Sequence, residues 1–352
     1  MAFTCLLLFF VSGAFTQEKK PFPLYIEASF PFFLSDQGFL DSYETNTTFK
    51  GTGKALGITE IEEMQFQTMT LGWEFPRKGK ILLTYTNYSE ESSDTLIDHL
   101  VWNGETYLAD EFYDPNPFDG NYDSDPANYL LKILDGDLGM KTDIFDVAFA
   151  RGFGKGKRLG GSWNAGLRYA KHEQQLPLGY FYTYRDPDYG FSYTFFNSVP
   201  ALIDQEASFV GPKGGGEMHL FLFNKRLILS VGADVSLTFG NVKVPTQYLP
   251  RARGSYDEDL NLVINYEYFP FSETRSKNPF FTTADFNIKF RILKELYVFV
   301  GYKYAFFRDV FLSPTVVELP TSTDQVPYGV FISFSAGDVD YQTPYFGMSY
   351  QF

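Results

Sequence analysis

The last eight residues, YFGMSYQF, alternate strictly. Phe346, Met348, Tyr350 and Phe352 share one parity, and Tyr345, Gly347, Ser349 and Gln351 share the other. Period two puts the two sets on opposite faces of a strand. The same pattern recurs inside the chain. In LILSVGADVSLTF, Leu227, Leu229, Val231, Ala233, Val235, Leu237 and Phe239 alternate with a set containing Ser230, Asp234, Ser236 and Thr238. In TADFNIKFRI, Ala284, Phe286, Ile288, Phe290 and Ile292 alternate with Asp285, Asn287, Lys289 and Arg291. In WNAGLRYAKHEQ, Trp163, Ala165, Leu167 and Tyr169 alternate with Asn164, Arg168 and His172. The pattern predicts ten strands, over 24–34, 64–75, 81–89, 140–153, 161–174, 208–223, 227–241, 281–292, 296–307 and 341–352.

Four short connections, PRKGK (76–80), GKGKRLG (154–160), NKR (224–226) and LKE (293–295), join these strands in pairs, as hairpin turns do. Long segments rich in Asp, Asn, Pro, Gly and Tyr separate the pairs. Short turns at one end and long loops at the other predict an all-β fold, a transmembrane antiparallel up-and-down β-barrel of about ten strands. Twelve strands is the alternative count. The turns would be periplasmic, the loops extracellular, and both termini would lie on the turn side. Charge follows the same division. The first three turns carry Arg77, Lys78, Lys80, Lys155, Lys157, Arg158, Lys225 and Arg226 without an acid, whereas 90–137 holds thirteen acids and one base, Lys132.

Charges at every second position cannot face lipid, where Lys or Arg costs about 2–4 kcal/mol at the midplane. Arg168, Glu217, Asp234, Asp285 and Lys289 are therefore expected to line the lumen, with Lys213 among them. Trp163, Phe239 and Phe352 are expected near the edges of the apolar band as interfacial anchors. A soluble β-sandwich or propeller also alternates. It does not account for the terminal aromatic or the turn–loop asymmetry.

Composition removes other classes. Apolar residues make up 44% of the chain, yet no run reaches the ~18 residues of a spanning helix. A net charge of -14 argues against nucleic acid as a partner. Residues 1–14 read as a signal peptide, with an apolar core at Leu6–Val11 and small residues at Ser12-Gly13-Ala14, although no base precedes that core. This leaves 15–352 as one barrel domain. Cys5, in the signal segment, is the only cysteine, so the mature chain would form neither disulfides nor a thiolate metal site.

The remaining motifs have plain readings. GFGKGKRLGG lacks the Gly-Lys-Ser/Thr ending of a phosphate loop and reads as a turn. Asp119, Asn121, Asp123 and Asp125 are spaced like part of a calcium loop, without its glycine and closing glutamate, and read as a solvated acidic loop. His99 is expected in a loop, His172 near the top of a strand beside Arg168, and His219 mid-barrel. None has a local nucleophile partner, and the protein is expected not to be an enzyme. YFYTYRDPDYGFSYTFF (180–196) signals a hairpin on the barrel rim.

DIFDVAFARGF (143–153), WNAGLRYAKHEQ (163–174), ASFVGPKGGGEMHLFLFNKRLILSVGADVSLTFG (207–240), LYVFVGYKYAFFRDV (296–310) and YFGMSYQF together resemble the pore-forming major outer membrane protein family of the Legionella type. The motifs are Gly166-Leu167-Arg168-Tyr169, then Gly211-Pro212 entering the next strand, then Gly301-Tyr302 and terminal Phe352. The likeness covers the chain from about residue 140. It implies a barrel of the bacterial outer membrane, with no catalytic residues and no cofactor. It also implies that Phe346, Tyr350 and Phe352 form the C-terminal signal read by the barrel-assembly machinery. The expected function is passive diffusion of small solutes through a porin-like pore. The alternative is a structural or adhesive barrel binding a partner through acidic, aromatic loops. Expected partners are outer-membrane lipids, the assembly machinery, and a second copy or a surface protein.

Overall fold

A computed structural model describes residues 24–31, 47–49, 53–56, 63–75, 79–92, 99–102, 105–108, 138–153, 158–178, 181–185, 194–198, 201–256, 262–318 and 330–351. The signal segment, the acids at 119–125 and Phe352 lie outside these residues.

Twelve strands build the barrel wall: β1 (Leu24–Pro31), β2 (Glu63–Glu74), β3 (Gly79–Ser92), β4 (Leu138–Phe153), β5 (Leu159–Leu178), β6 (Ala201–Leu222), β7 (Leu227–Leu237), β8 (Phe239–Tyr256), β9 (Leu262–Lys277), β10 (Phe280–Arg291), β11 (Leu296–Glu318) and β12 (Val330–Gln351). Ten of them pair antiparallel in the ring order β1-β2-β3-β4-β5-β6-β7-β10-β11-β12. The ring closes where β12 meets β1, from Tyr25↔Gln351 to Pro31↔Tyr345. This makes a closed ten-stranded barrel without a free edge at its base, and β8 and β9 continue β7 and β10 beyond it. Both described ends of the chain lie on the turn side.

The outer surface is apolar. Val231 is 55% exposed and its neighbour Ser230 only 1%, so the faces follow the parity of the sequence. Phe145, Val147, Phe149, Leu167, Val235, Leu237, Phe286, Val300, Phe346 and Met348 share that outer surface. A continuous belt of this kind is far larger than the apolar patches tolerated in water. With polar groups inside, it is the surface of a barrel solvated by lipid. Trp163 and Phe239 are exposed in this belt. Its loop-side border is polar: Asp143 accepts hydrogen bonds from Tyr85 (2.7 Å) and Asn87 (2.9 Å) and pairs with Lys141 at 3.2 Å.

Several strands run further than alternation predicts. The segments expected as loops after 241 and before 281 form β8 and β9, so 227–256 and 262–291 make one long hairpin. Likewise β11 and β12 extend to Glu318 and back to Val330. Beyond the belt the outer face meets water, so the alternation changes sense: Val242 and Val244 are buried and Asn241 and Lys243 exposed. Of the strand expected over 24–34, the described part is Leu24–Pro31, and 32–34 lie outside the described residues. The rim hairpin is present, Phe181–Arg185 pairing with Thr194–Ser198, which in turn pairs with β8.

Two other readings change. Gly211-Pro212 stands in the middle of β6 and does not begin it. There β6 changes partner from β8 (Val210↔Phe239) to β7 (Lys213↔Ser236), while its ladder with β5 runs on through Gly211↔Arg168 and Pro212↔Leu167. A side chain at Gly211 would meet the Leu237 carbonyl at 2.1 Å, so only glycine fits. His99 lies in a short strand, His99–Trp102, of a separate four-stranded sheet.

Candidate functional site

The lumen has two layers. On the turn side is a polar vestibule of about 310 Å³, whose lining includes all five residues expected inside: Arg168, Glu217, Asp234, Asp285 and Lys289. It adjoins a second space of about 290 Å³ between the turn-flanking residues Glu74, Gly79 and Gly152, and the two share Lys80, Ser162 and His219. His219 is thus at the turn-side mouth, three residues from the end of β6, and not mid-barrel.

Arg168 organises one wall. Its Nε and an Nη donate to the two carboxylate oxygens of Asp146 at 2.8 Å, in the bidentate fork suited to guanidinium. The same Nη reaches Asp234 Oδ1 at 2.8 Å, and Thr283 donates to Asp234 Oδ2 at 2.7 Å. Lys213 sits 2.5 Å from Asp146 and 3.4 Å from Asp234. Two acids and two bases therefore neutralise one another with most of their hydrogen-bonding capacity used. On the opposite wall Lys289 donates to Glu27 at 2.8 Å, and Asp285 accepts from Tyr345 (2.7 Å) and Asn287 (2.8 Å). Lys303 and Lys80 lie over the ring faces of Phe66 (5.3 Å) and Tyr25 (4.9 Å). Among the described residues, Tyr88 Oη, Asn164 Oδ1 and Asn287 Oδ1 have no hydrogen-bond partner, and all three residues border the vestibule. A polar cavity of this size can supply such groups with water or solute.

Toward the loops the vestibule meets an aromatic ceiling. The six largest fully buried side chains are Tyr88, Tyr341, Phe66, Phe209, Phe281 and Phe307. They form one connected string across the lumen. Phe209 meets Phe281 (6.2 Å), Phe281 meets Phe307 (4.8 Å), Phe307 meets Tyr341 (5.5 Å), Tyr341 stacks on Tyr88 (4.4 Å), and Tyr88 meets Phe66 (5.2 Å). Above it His172 bonds Thr142 (2.8 Å) and Gln174 (2.9 Å), and Thr142 bonds Tyr341 (3.1 Å). His172 and Arg168 share the inner face, but the hydroxyl beside His172 is held in this structural network.

Parity could have found Asp146, since Phe145, Val147 and Phe149 flank it on the outer face. It could not find the ceiling. An aromatic at an inward position looks, in sequence, like any other apolar residue of a strand. Of the expected assembly residues, Phe346 is on the outer belt and Tyr350 is half-buried on the same face.

No family model matches the sequence, and no curated protein matches it. Among solved structures, a Pseudomonas aeruginosa FadL homologue aligns at 10% identity over 94% of this chain and 89% of that one, with a TM-score of 0.25. A TodX monoaromatic hydrocarbon channel carrying the deltaS2S3 mutation aligns at 8% identity over 93% and 88%, with a TM-score of 0.28. The P. putida toluene transporter TodX aligns at 9% identity over 96% and 91%, with a TM-score of 0.26. Superpositions this loose carry no residue-level correspondence, and the site stands on its own geometry.

Proposed function

We propose that the protein is a bacterial outer-membrane channel for small solutes, and that the structure is its closed state. The observation that carries this reading is a polar vestibule of about 310 Å³ inside a lipid-facing barrel, stopped by one aromatic ceiling. An always-open pore would not place six fully buried rings across its bore. Bases and acids alternate around the vestibule walls, which suits polar solutes of either sign. The apparent signal peptide and the family resemblance of the second half support the same location, and membership of that family is part of the proposal.

Planar-bilayer recording tests it. The folded protein should give rare, discrete conductance steps, and Phe307→Ala, which thins the ceiling, should make them frequent. A second reading rests on the same ceiling. Ten strands enclose a lumen small enough for side chains to fill, as expected of a partner-binding barrel. Silence from both proteins, each shown to be folded, would favour that alternative.

A further inference from the structure

We propose that residues 309–318 of β11 and 330–338 of β12 form a lid over the lumen, hinged at Asp309 and latched by Gln205. The proposal extends the channel reading, but its geometry stands without it.

β11 is an ordinary wall strand as far as Phe307↔Val339 on the β12 side and Phe280↔Arg308 on the β10 side. Beyond that point it pairs only with β12, and the register between them slips between Phe307 and Phe311. Asp309 sits at the slip with φ 60, a left-handed conformation that aspartate tolerates better than most residues, and its N–H donates to Asp338 Oδ1 at 2.8 Å. Val310, Phe311 and Leu312 are then all buried, which breaks the alternation of the strand.

The bend carries the backbone over the lumen to β6, three strands away round the ring. There Gln205 of β6 takes both polar groups of Leu312: its Oε1 accepts the Leu312 N–H (2.9 Å) and its Nε2 donates to the Leu312 carbonyl (2.5 Å). One side-chain amide thus replaces the strand neighbour that β11 has lost. Phe311 lies over the ring of His172 on β5 at 6.4 Å. On the near flank Arg275 of β9 donates to the Phe334 carbonyl at 2.9 Å.

A second position is built into the wall. In the described pairing, β9 has β8 on one edge and no strand on the edge toward β11. Continuing the Phe280↔Arg308 register would bring Ser276 opposite Leu312, trading the latch for a wall ladder. Strand edges without a neighbour favour such pairing. Two discrete arrangements of one hairpin make a gate on the loop side of the aromatic ceiling, and swinging it outward would remove Phe311 and Leu312 from above that ceiling.

Paired cysteines in the full-length protein, refolded in lipid vesicles, test the two positions. Gln205→Cys with Leu312→Cys should cross-link quickly at rest, and Ser276→Cys with Leu312→Cys slowly. Adding Gln205→Ala to the second pair should speed it about five- to tenfold, the shift that loss of one or two neutral hydrogen bonds gives. No acceleration, or no 205–312 cross-link in a barrel shown to be folded, would overturn the lid. Conductance separates the two ideas. Silencing by the 205–312 cross-link, reversed by a reductant, supports the lid as a gate, and currents indifferent to the cross-link overturn it. Cross-linking as expected without any current would keep the lid and remove the channel reading.

Discussion

The Tyr345 phenol donates a 2.7 Å hydrogen bond to Asp285 across an intervening strand. The two residues stand on β12 and β10, and β11 runs between them. The reach is possible because the residue between is Gly301, where an added Cβ would lie 2.5 Å from the tyrosine ring. The empty side of the glycine lets the ring lie flat along the inner wall. One absent side chain thus joins three strands near the closure of the barrel.

Gly301→Val should displace that ring and leave Asp285 without its phenol donor. Overpacking of this kind costs about 1–3 kcal/mol. Tyr345→Phe, which keeps the ring and loses only the bond to the carboxylate, should cost about 1.5–3 kcal/mol. Urea unfolding from lipid vesicles reads both, and equal midpoints for Gly301→Val and wild type would contradict the placement of the ring.

Arg168→Ala should be among the most damaging polar substitutions in the barrel. It would leave buried Asp146 and part-buried Asp234 with Lys213 as their only base within 4 Å among the described residues. Breaking a buried pair by removing one partner costs about 3–5 kcal/mol. Arg168→Lys should recover only part, since an ammonium cannot reproduce the fork to Asp146. The same urea series should rank them wild type, lysine, alanine.

Single cysteines should report the two faces. At Val231, Val235, Phe286 and Ile288 they should react with lipid-soluble reagents. At Ser230, Asp234, Asp285 and Asn287 they should not. A reversed pattern would mean a register slipped by one residue, which exchanges the faces.

Deleting Phe352, or replacing it with a charged residue, should sharply lower the amount of folded protein in the outer membrane. The outer belt includes Phe346 and Met348 on the closing strand, and period two carries the same face on to Phe352. Normal amounts of the heat-modifiable folded form after the deletion would remove the C-terminal signal from the proposal.

Open-channel currents should show a modest cation preference. The vestibule balances Lys80, Arg168, Lys213, Lys289 and Lys303 against Glu27, Asp146, Glu217, Asp234 and Asp285, so selectivity should come from the acidic loops. Their field reaches about 10 Å at 0.1 M salt. The preference should therefore be strongest at low salt and weaken when Asp119, Asp123 and Asp125 are neutralised. A firm anion preference would assign control to the inward-facing bases.

Within the apolar belt, the sequence alone determined the barrel. Lipid outside and polar groups inside impose opposite demands on adjacent residues, and a strand writes those demands as alternation. Val231 beside Ser230 and Phe286 beside Asp285 are that rule in single pairs, and they placed Arg168, Asp234 and Lys289 inside without a structure. Beyond the belt the alternation changes sense. In β8 Val242 and Val244 are buried inward while Asn241 and Lys243 are exposed, so the apolar-out pattern of the belt does not mark the continuation of β7 and β10 into β8 and β9. The closure of the lumen was hidden for another reason. Tyr88, Phe209, Phe281 and Phe307 are apolar at inward positions, and only contacts between strands far apart in the chain show that they meet across the bore. The bend at Asp309 and the grip of Gln205 on Leu312 join residues more than a hundred positions apart. Such pairings depend on which strands face each other around a closed ring, and no local pattern records that choice.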